Sequence, residues 1–176
     1  MIPWILFVTS LWTSFPGADA AEATATERAF ERLRGLAGDW TGTLEWTGAR
    51  TGTGEVSARY GLTGGGSAVV EDLVMAGSVP SMTSVYHLDG ADLRMTHYCG
   101  AQNQPRLKAI RVDDADGILD FSFVDATGLD EHPAHVTALE IRFLGDGRLE
   151  LRFTFEGAGK TSVERIQLRR ASPKNS

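Results

Sequence analysis

After Gly38 the sequence alternates between apolar and polar residues with a period of two. One such run begins at Trp40 and continues through Leu44 and Trp46. Segments rich in Gly and Asp interrupt the alternation at intervals of roughly eight to twelve residues, which is the spacing of an all-β barrel or sandwich. A period of two places alternate side chains on opposite faces of a sheet. The pattern therefore predicts a meander of about ten antiparallel strands.

A meander of this kind leaves two unpaired edges, and closure into a barrel removes both. We therefore predict an all-β fold, namely an up-and-down antiparallel barrel with a short N-terminal helix. The segment ATATERAFERLRG predicts that helix, because Thr24 and Glu27 fit a capping box and Phe30, Leu33 and Ala37 recur at helical spacing. Its single apolar stripe indicates a plug or lid over the barrel.

The first twenty residues, MIPWILFVTSLWTSFPGADA, are typical of a signal peptide. They combine an apolar run, a Pro-Gly break, and small residues at Ala18 and Ala20. They contain no Lys or Arg, so an uncleaved anchor is the alternative, although the run is short for a bilayer span. We predict a periplasmic or secreted protein with no stable membrane span after cleavage. The predicted organisation is a signal peptide over 1–20, a helix over 21–38, a barrel over 39–170 and a disordered tail over 171–176.

Charge and cysteine content disfavour a nucleic-acid-binding protein and exclude a fold held by intrachain disulfides. The formal net charge of the 176-residue chain is −6, which disfavours nucleic-acid binding because phosphate neutralisation needs a basic face. Cys99 is the only cysteine, so the chain has no intrachain disulfide. The predicted partner is a small molecule, and the sequence indicates no particular oligomeric state.

Several motifs resemble known barrel families. Gly38-Asp39-Trp40, which follows a short helix and starts the first strand, resembles the Gly-x-Trp motif of calycin barrels, the lipocalins and their relatives. This resemblance implies that the Trp closes one end of the barrel. The segments GGSAVVED, SVYHLDG, LRMTHYC and NQPR resemble a family of uncharacterised exported bacterial barrel domains. The glycine-rich run also resembles nitrobindin-like haem barrels, whose haem-ligand region has no residue-by-residue match here.

The Asp89-Gly90 pair predicts a hairpin and assigns the faces of two strands. A turn of two or four residues places one set of side chains on a common face, whereas a three-residue loop would reverse the phase. That set is Met82, Ser84, Tyr86, Leu88, Leu93, Met95, His97 and Cys99. An imidazole and the only thiol are therefore predicted to lie inside the barrel.

Glu71 alternates with Val69 and Leu73 and is predicted to point inwards as well. A buried carboxylate needs a partner or its pKa rises, and the candidate partners are His97, Tyr60 and Arg106. Two interpretations stay open. Glu71 and its partners form either the polar end of a ligand pocket or an internal polar cluster that fixes the strand register.

The pocket interpretation gives a candidate ligand-binding set drawn from the barrel interior and the turn after Cys99. The set is Trp40, Tyr60, Glu71, Met82, Ser84, Tyr86, Met95, His97, Cys99, Gln104 and Arg106. We predict a small, mostly apolar ligand in an internal cavity with a polar patch around His97 and Glu71. Whether the lumen is open depends on how four phenylalanines pack, and the alternation of the sequence does not reveal this. They are Phe121, Phe123, Phe153 and Phe155.

A binding protein is favoured over two alternatives. One is an enzyme that uses His97 and Glu71 as an acid-base pair, with Cys99 as nucleophile or bystander. The other is a filled barrel with a structural or interaction role. No cofactor or metal is predicted, because a zinc site needs more ligands than the sequence places near His97. A haem or metal bound through His97 is the alternative to that expectation.

Overall fold

The computed structural model describes residues 23–75 and 79–172, which contain one α-helix, one 3-10 turn (Gly64–Gly66) and ten strands. The helix is α1 (Ala25–Arg34). The strands are β1 (Gly38–Gly48), β2 (Gly52–Thr63), β3 (Ala68–Val74), β4 (Met82–Asp89), β5 (Asp92–Tyr98), β6 (Gln104–Asp113), β7 (Ile118–Thr127), β8 (His135–Gly145), β9 (Arg148–Gly157) and β10 (Lys160–Arg170). The predicted signal peptide and residues 173–176 of the predicted tail lie outside the described residues.

The strands form a closed antiparallel barrel, which confirms the predicted fold class. Each strand pairs with its neighbours in sequence, and β1 also pairs with β10. This seam runs from Trp40 opposite Arg170 to Gly48 opposite Ser162. At Gly42 the two strands approach so closely that a Cβ atom would lie 1.8 Å from the carbonyl oxygen of Gln167. The seam therefore requires glycine at this position.

Bulky side chains fill the centre of the barrel. Tyr86, Phe121 and Phe153 are at most 1 % exposed, whereas Phe123 and Phe155 are only partly buried. Tyr86 and Phe121 pack edge to face with ring centroids 6.0 Å apart. Of the four phenylalanines that determine whether the lumen is open, Phe121 and Phe153 thus occupy the interior.

Helix α1 plugs one end of the barrel, as its single apolar stripe predicts. The capping box of Thr24 and Glu27 is present, and Ala29, Phe30 and Leu33 are buried. Further along the chain, the indole N–H of Trp40 donates to the carbonyl oxygen of Leu36 at 2.8 Å. We call the end of the barrel that α1 covers the helix end. No helix of the described part is long and apolar enough to cross a membrane.

The other end of the barrel carries the remaining links between strands, and we call it the mouth. The described residues of the links at the mouth are 49–51, 75, 79–81, 99–103, 128–134 and 158–159. Asn103 is fully buried there, and its amide nitrogen donates to the carbonyl oxygens of His132 at 2.7 Å and Ala134 at 2.8 Å. These hydrogen bonds join the β5–β6 link to the β7–β8 link.

Candidate ligand-binding site

The β4–β5 hairpin has the register that places His97 inside the barrel. Leu88 lies opposite Leu93 and Ser84 opposite His97, with Gly90 and Ala91 in the turn. A two-residue turn preserves the phase of alternation, so the inward face continues from one strand into the next. The predicted common face is therefore confirmed.

Four polar side chains lie side by side on consecutive strands of the interior. Tyr60 on β2 is opposite Glu71 on β3, Glu71 is opposite Ser84 on β4, and Ser84 is opposite His97 on β5. We call these four residues the polar row. Each of them is at most 2 % exposed. A row of buried polar groups needs hydrogen-bond partners within the barrel.

The Glu71 carboxyl group is hydrogen-bonded by Tyr86 and lies opposite Tyr60. The hydroxyl of Tyr86 donates to Glu71 Oε2 at 2.8 Å. Burial raises the pKa of Glu71 to about 7, and the Tyr86 and Tyr60 hydroxyls partly oppose this rise. Tyr60 thus influences the carboxyl group, yet its hydroxyl and Glu71 Oε1 make no hydrogen bond of normal geometry in the described structure.

His97 is a neutral imidazole at pH 7, because burial lowers its pKa to about 4. Its Nδ1 lies 3.0 Å from Ser84 Oγ, and its ring lies 5.2 Å from that of Phe153. The second nitrogen, Nε2, is buried without a hydrogen-bond partner among residues 23–75 and 79–172. His97 and Glu71, the candidate acid-base pair, therefore have different partners. His97 interacts with Ser84, and Glu71 interacts with Tyr86.

A pocket of about 450 Å³ lies at the mouth, above the end of the polar row that Ser84 and His97 form. Met82 and Cys99 line it. Met82 precedes Ser84 by two residues and Cys99 follows His97 by two, so both continue the same inward face. The full lining is Trp46, Arg50, Met75, Ser81, Met82, Cys99, Gly100, Ala101, Ala134, Phe155 and Ser162. We call this the mouth pocket. Its volume lies in the range typical of small-molecule sites.

Depressions of similar volume also occur on the outer surface of the barrel. Two of them, of about 490 and 550 Å³, share Thr43 and Glu55 in their lining. Most of their side chains point outwards from β1 and β2. The mouth pocket is the better candidate, because inward side chains line it and buried polar groups lie beneath it.

Glu164 on β10 is a second buried carboxyl group near the mouth. It lies opposite Trp46 on β1 and Phe153 on β9, and it is 0 % exposed. Burial raises its pKa to about 7, against the opposing effects of Arg50 and Trp46. The sequence analysis missed this residue. The signal was available, because Glu164 alternates with the buried Ile166 and Leu168.

Cys99 lines the mouth pocket as a partly buried thiol. Burial raises its pKa, the backbone of Ala101 opposes that rise, and the nearby Glu164 adds to it. The thiol form is therefore favoured over the reactive thiolate at neutral pH.

Two predicted ligand-binding residues lie outside the barrel, which corrects their assignment. Arg106 is exposed and forms an ion pair with Asp125, and Gln104 accepts a hydrogen bond from the Thr127 hydroxyl. The reason is the alternation of β6, in which the buried Leu107 puts both of them on the outer face. Arg106 is consequently also excluded as the partner of Glu71.

Two other predicted residues are buried away from the mouth. Trp40 lies at the helix end, where its ring packs against Tyr60 at 6.1 Å and against the Arg170 guanidinium at 4.5 Å. Met95 belongs to the hydrophobic core beside Leu107 on β6. The structure thus brings together Tyr60, Glu71, Ser84, Tyr86 and His97, with Met82 and Cys99 above them.

No group of three or more His, Cys, Asp and Glu side chains suited to a metal ion occurs in residues 23–75 and 79–172. His135 Nδ1 lies 2.7 Å from the carbonyl oxygen of Pro133, at the start of β8. His132 offers its backbone carbonyl to Asn103. These two histidines therefore have local roles in the link between β7 and β8.

Comparison with known proteins supports the barrel fold. No family model matches the sequence, and no curated protein is similar to it at a significant level. The crystal structure of Rv2717c from M. tuberculosis is similar, with a TM-score of 0.58, 16% identity, and coverage of 82% of this chain and 98% of that chain.

Two other solved structures are more distant. A protein of unknown function from the DUF3598 family of Nostoc punctiforme has a TM-score of 0.47 at 9% identity, covering 79% of this chain and 49% of that one. A redesigned beta barrel has a TM-score of 0.38 at 10% identity, covering 80% and 95% of the two chains. Of the three, only Rv2717c is similar enough to support the fold.

The raised pKa of Glu71 links folding stability to pH. Its pKa is about 7 in the folded protein and near 4.5 when unfolded, so the folded state binds more protons between these values. Glu71 therefore stabilises the fold below pH 4.5, and this contribution is lost as the pH rises to about 7.

We expect Glu71→Gln to remove this dependence, because the amide stays neutral. Between pH 5 and pH 8 the variant should gain roughly 2 to 3 kcal/mol in free energy of unfolding relative to the wild type. Urea denaturation at both pH values measures the change. Glu156→Gln, at an exposed position of β9, is the matched control and should track the wild type. Parallel pH profiles for wild type and Glu71→Gln would contradict this account of Glu71.

Proposed function

We propose that this protein is a lipocalin-like binding protein that holds a small, mostly apolar molecule in the mouth pocket. The observation that carries the proposal is the pocket of about 450 Å³ lined by Trp46, Met75, Met82 and Phe155. Barrels of about this size hold one small ligand in several known families. The apolar lining favours an apolar ligand body.

Polar groups beneath the pocket support a ligand that also carries a polar end. His97 Nε2 and both oxygens of Glu164 are buried without a hydrogen-bond partner in the described ranges. Buried polar atoms of this kind are usually satisfied by protein, water or ligand. A few convergent polar groups below an apolar lining are the usual design of a site that both encloses and orients its ligand.

The filled centre of the barrel determines how deep the ligand reaches. Tyr86, Phe121 and Phe153 occupy the interior between the mouth and the helix end. The proposed ligand therefore lies at the mouth, above the polar row, and does not extend through the lumen. Its polar end faces His97 and Glu164.

A neutral apolar dye tests this proposal. We expect Nile red to bind with a stoichiometry of one per chain, detected as a saturable rise in fluorescence. Ser162→Trp should abolish this binding, because Ser162 lines the pocket and a tryptophan there places a ring within it. Ser57→Trp makes the same substitution at an exposed position of β2 and should bind the dye as the wild type does.

Circular dichroism establishes that each variant is folded before the titration. Equal dye binding by the wild type and folded Ser162→Trp would place the dye outside the mouth pocket. An absence of binding in all three proteins would contradict the proposal and favour a filled barrel with a structural role.

We also propose that the barrel is exported and acts in the periplasm or outside the cell. The apolar run and the small residues Ala18 and Ala20 support this proposal. The intact mass of the protein recovered from its own cells should correspond to a chain that begins at Ala21. A mass that includes residues 1–20 would contradict cleavage.

A further inference from the structure

Glu164 lies directly beneath the floor of the mouth pocket. Ser162 precedes it by two residues on β10 and Trp46 faces it from β1, and both of these residues line the pocket. Residues two apart on a strand point to the same face, so Glu164 also points into the barrel. Its side chain is thus one layer deeper than the pocket lining.

The carboxyl group of Glu164 forms no ion pair within the described residues, and Arg50 and Trp46 at the pocket only partly oppose the effect of burial on its pKa. Neither of its oxygens makes a hydrogen bond of normal geometry to the described residues, and the nearby indole N–H of Trp46 is unpaired as well. A buried carboxylate is costly unless it is paired with a cation or protonated. The chain itself therefore leaves two acceptor atoms that a ligand could use.

We propose that the ligand of the mouth pocket is a small amphipathic amine whose ammonium group binds Glu164. Its apolar part lies against Met82 and the rings of Trp46 and Phe155, which are 4.9 Å apart. This inference rests on the proposed function, because it names the class of ligand for the same pocket.

The number of available acceptors favours an amine over an alcohol. A primary ammonium group carries three N–H donors and can satisfy both oxygens of Glu164, whereas a hydroxyl group donates only one hydrogen. Hydrogen bonds between two charged partners are also stronger than those of a neutral donor. The site therefore distinguishes ligands by their head group.

Arg50 is the feature that would favour an anionic ligand instead. Its guanidinium lies 4.1 Å above the Trp46 ring, at an exposed position on the rim of the pocket. Solvent screens an ion pair at such a position, whereas a pair with the buried Glu164 is screened much less. We therefore expect Glu164 to determine the charge preference.

The test compares three ligands of equal chain length at pH 8: hexylamine, hexanol and hexanoate. At this pH a carboxyl group with a pKa of about 7 is ionised, and an alkylammonium group resembles that of lysine and keeps its proton. Each ligand is titrated directly by calorimetry and also by displacement of Nile red. We expect hexylamine to bind about tenfold to a hundredfold more tightly than hexanol.

Glu164→Gln should lower the affinity for hexylamine to about that for hexanol, since the amide carries no charge and retains the shape of the side chain. Circular dichroism checks that the variant is folded. Glu156→Gln makes the same change in net charge at an exposed position and should retain the preference. The comparison separates a specific contact with Glu164 from general attraction to an acidic protein.

The remaining outcomes separate this inference from the proposed function. Dye binding with equal affinity for hexylamine and hexanol, or with hexanoate as the tightest ligand, would overturn the amine class and leave the pocket in place. An amine preference that survives in Glu164→Gln would overturn the role of Glu164. If neither the dye nor any of the three ligands binds, both the inference and the proposed function are overturned.

Discussion

Backbone hydrogen bonding between β1 and β10 closes the sheet, and the interior of the molecule depends on this seam. In a closed barrel every strand has one face directed inwards, and a shift of one residue in register would exchange the two faces. Nine residue pairs from Trp40–Arg170 to Gly48–Ser162 hold the seam, and Gly42 permits the close approach of the two strands. An inward polar side chain is thereby kept from solvent and must find partners inside.

This constraint explains the chemistry of the interior. Glu71, His97 and Glu164 all occupy inward positions and are completely buried. Burial raises the pKa values of the two carboxyl groups and lowers that of the imidazole, so the neutral form of each is favoured relative to water. Tyr86 and Ser84 partly satisfy the polar row. Among the polar atoms that stay unpaired in the described residues, His97 Nε2 and the two oxygens of Glu164 lie towards the mouth.

Much of the fold was predictable from the sequence, because alternation is a local property. It gave the number of strands and the inward direction of Glu71 and His97. The same rule, applied to β6 and β10, would have placed Arg106 outside and Glu164 inside. The position of the pocket was not predictable, because it depends on how Phe121 and Phe153, far apart in sequence, fill the centre of the barrel. The pairing of Tyr86 with Glu71 likewise depends on rotamers and not on spacing.

Native mass spectrometry tests whether the mouth pocket holds a small molecule. The protein is purified from the cells that make it and sprayed without denaturation, beside the folded Ser162→Trp variant. Our expectation is one additional small mass per wild-type chain and none on the variant. Bare chains in both samples, or the same additional mass on both, would contradict it.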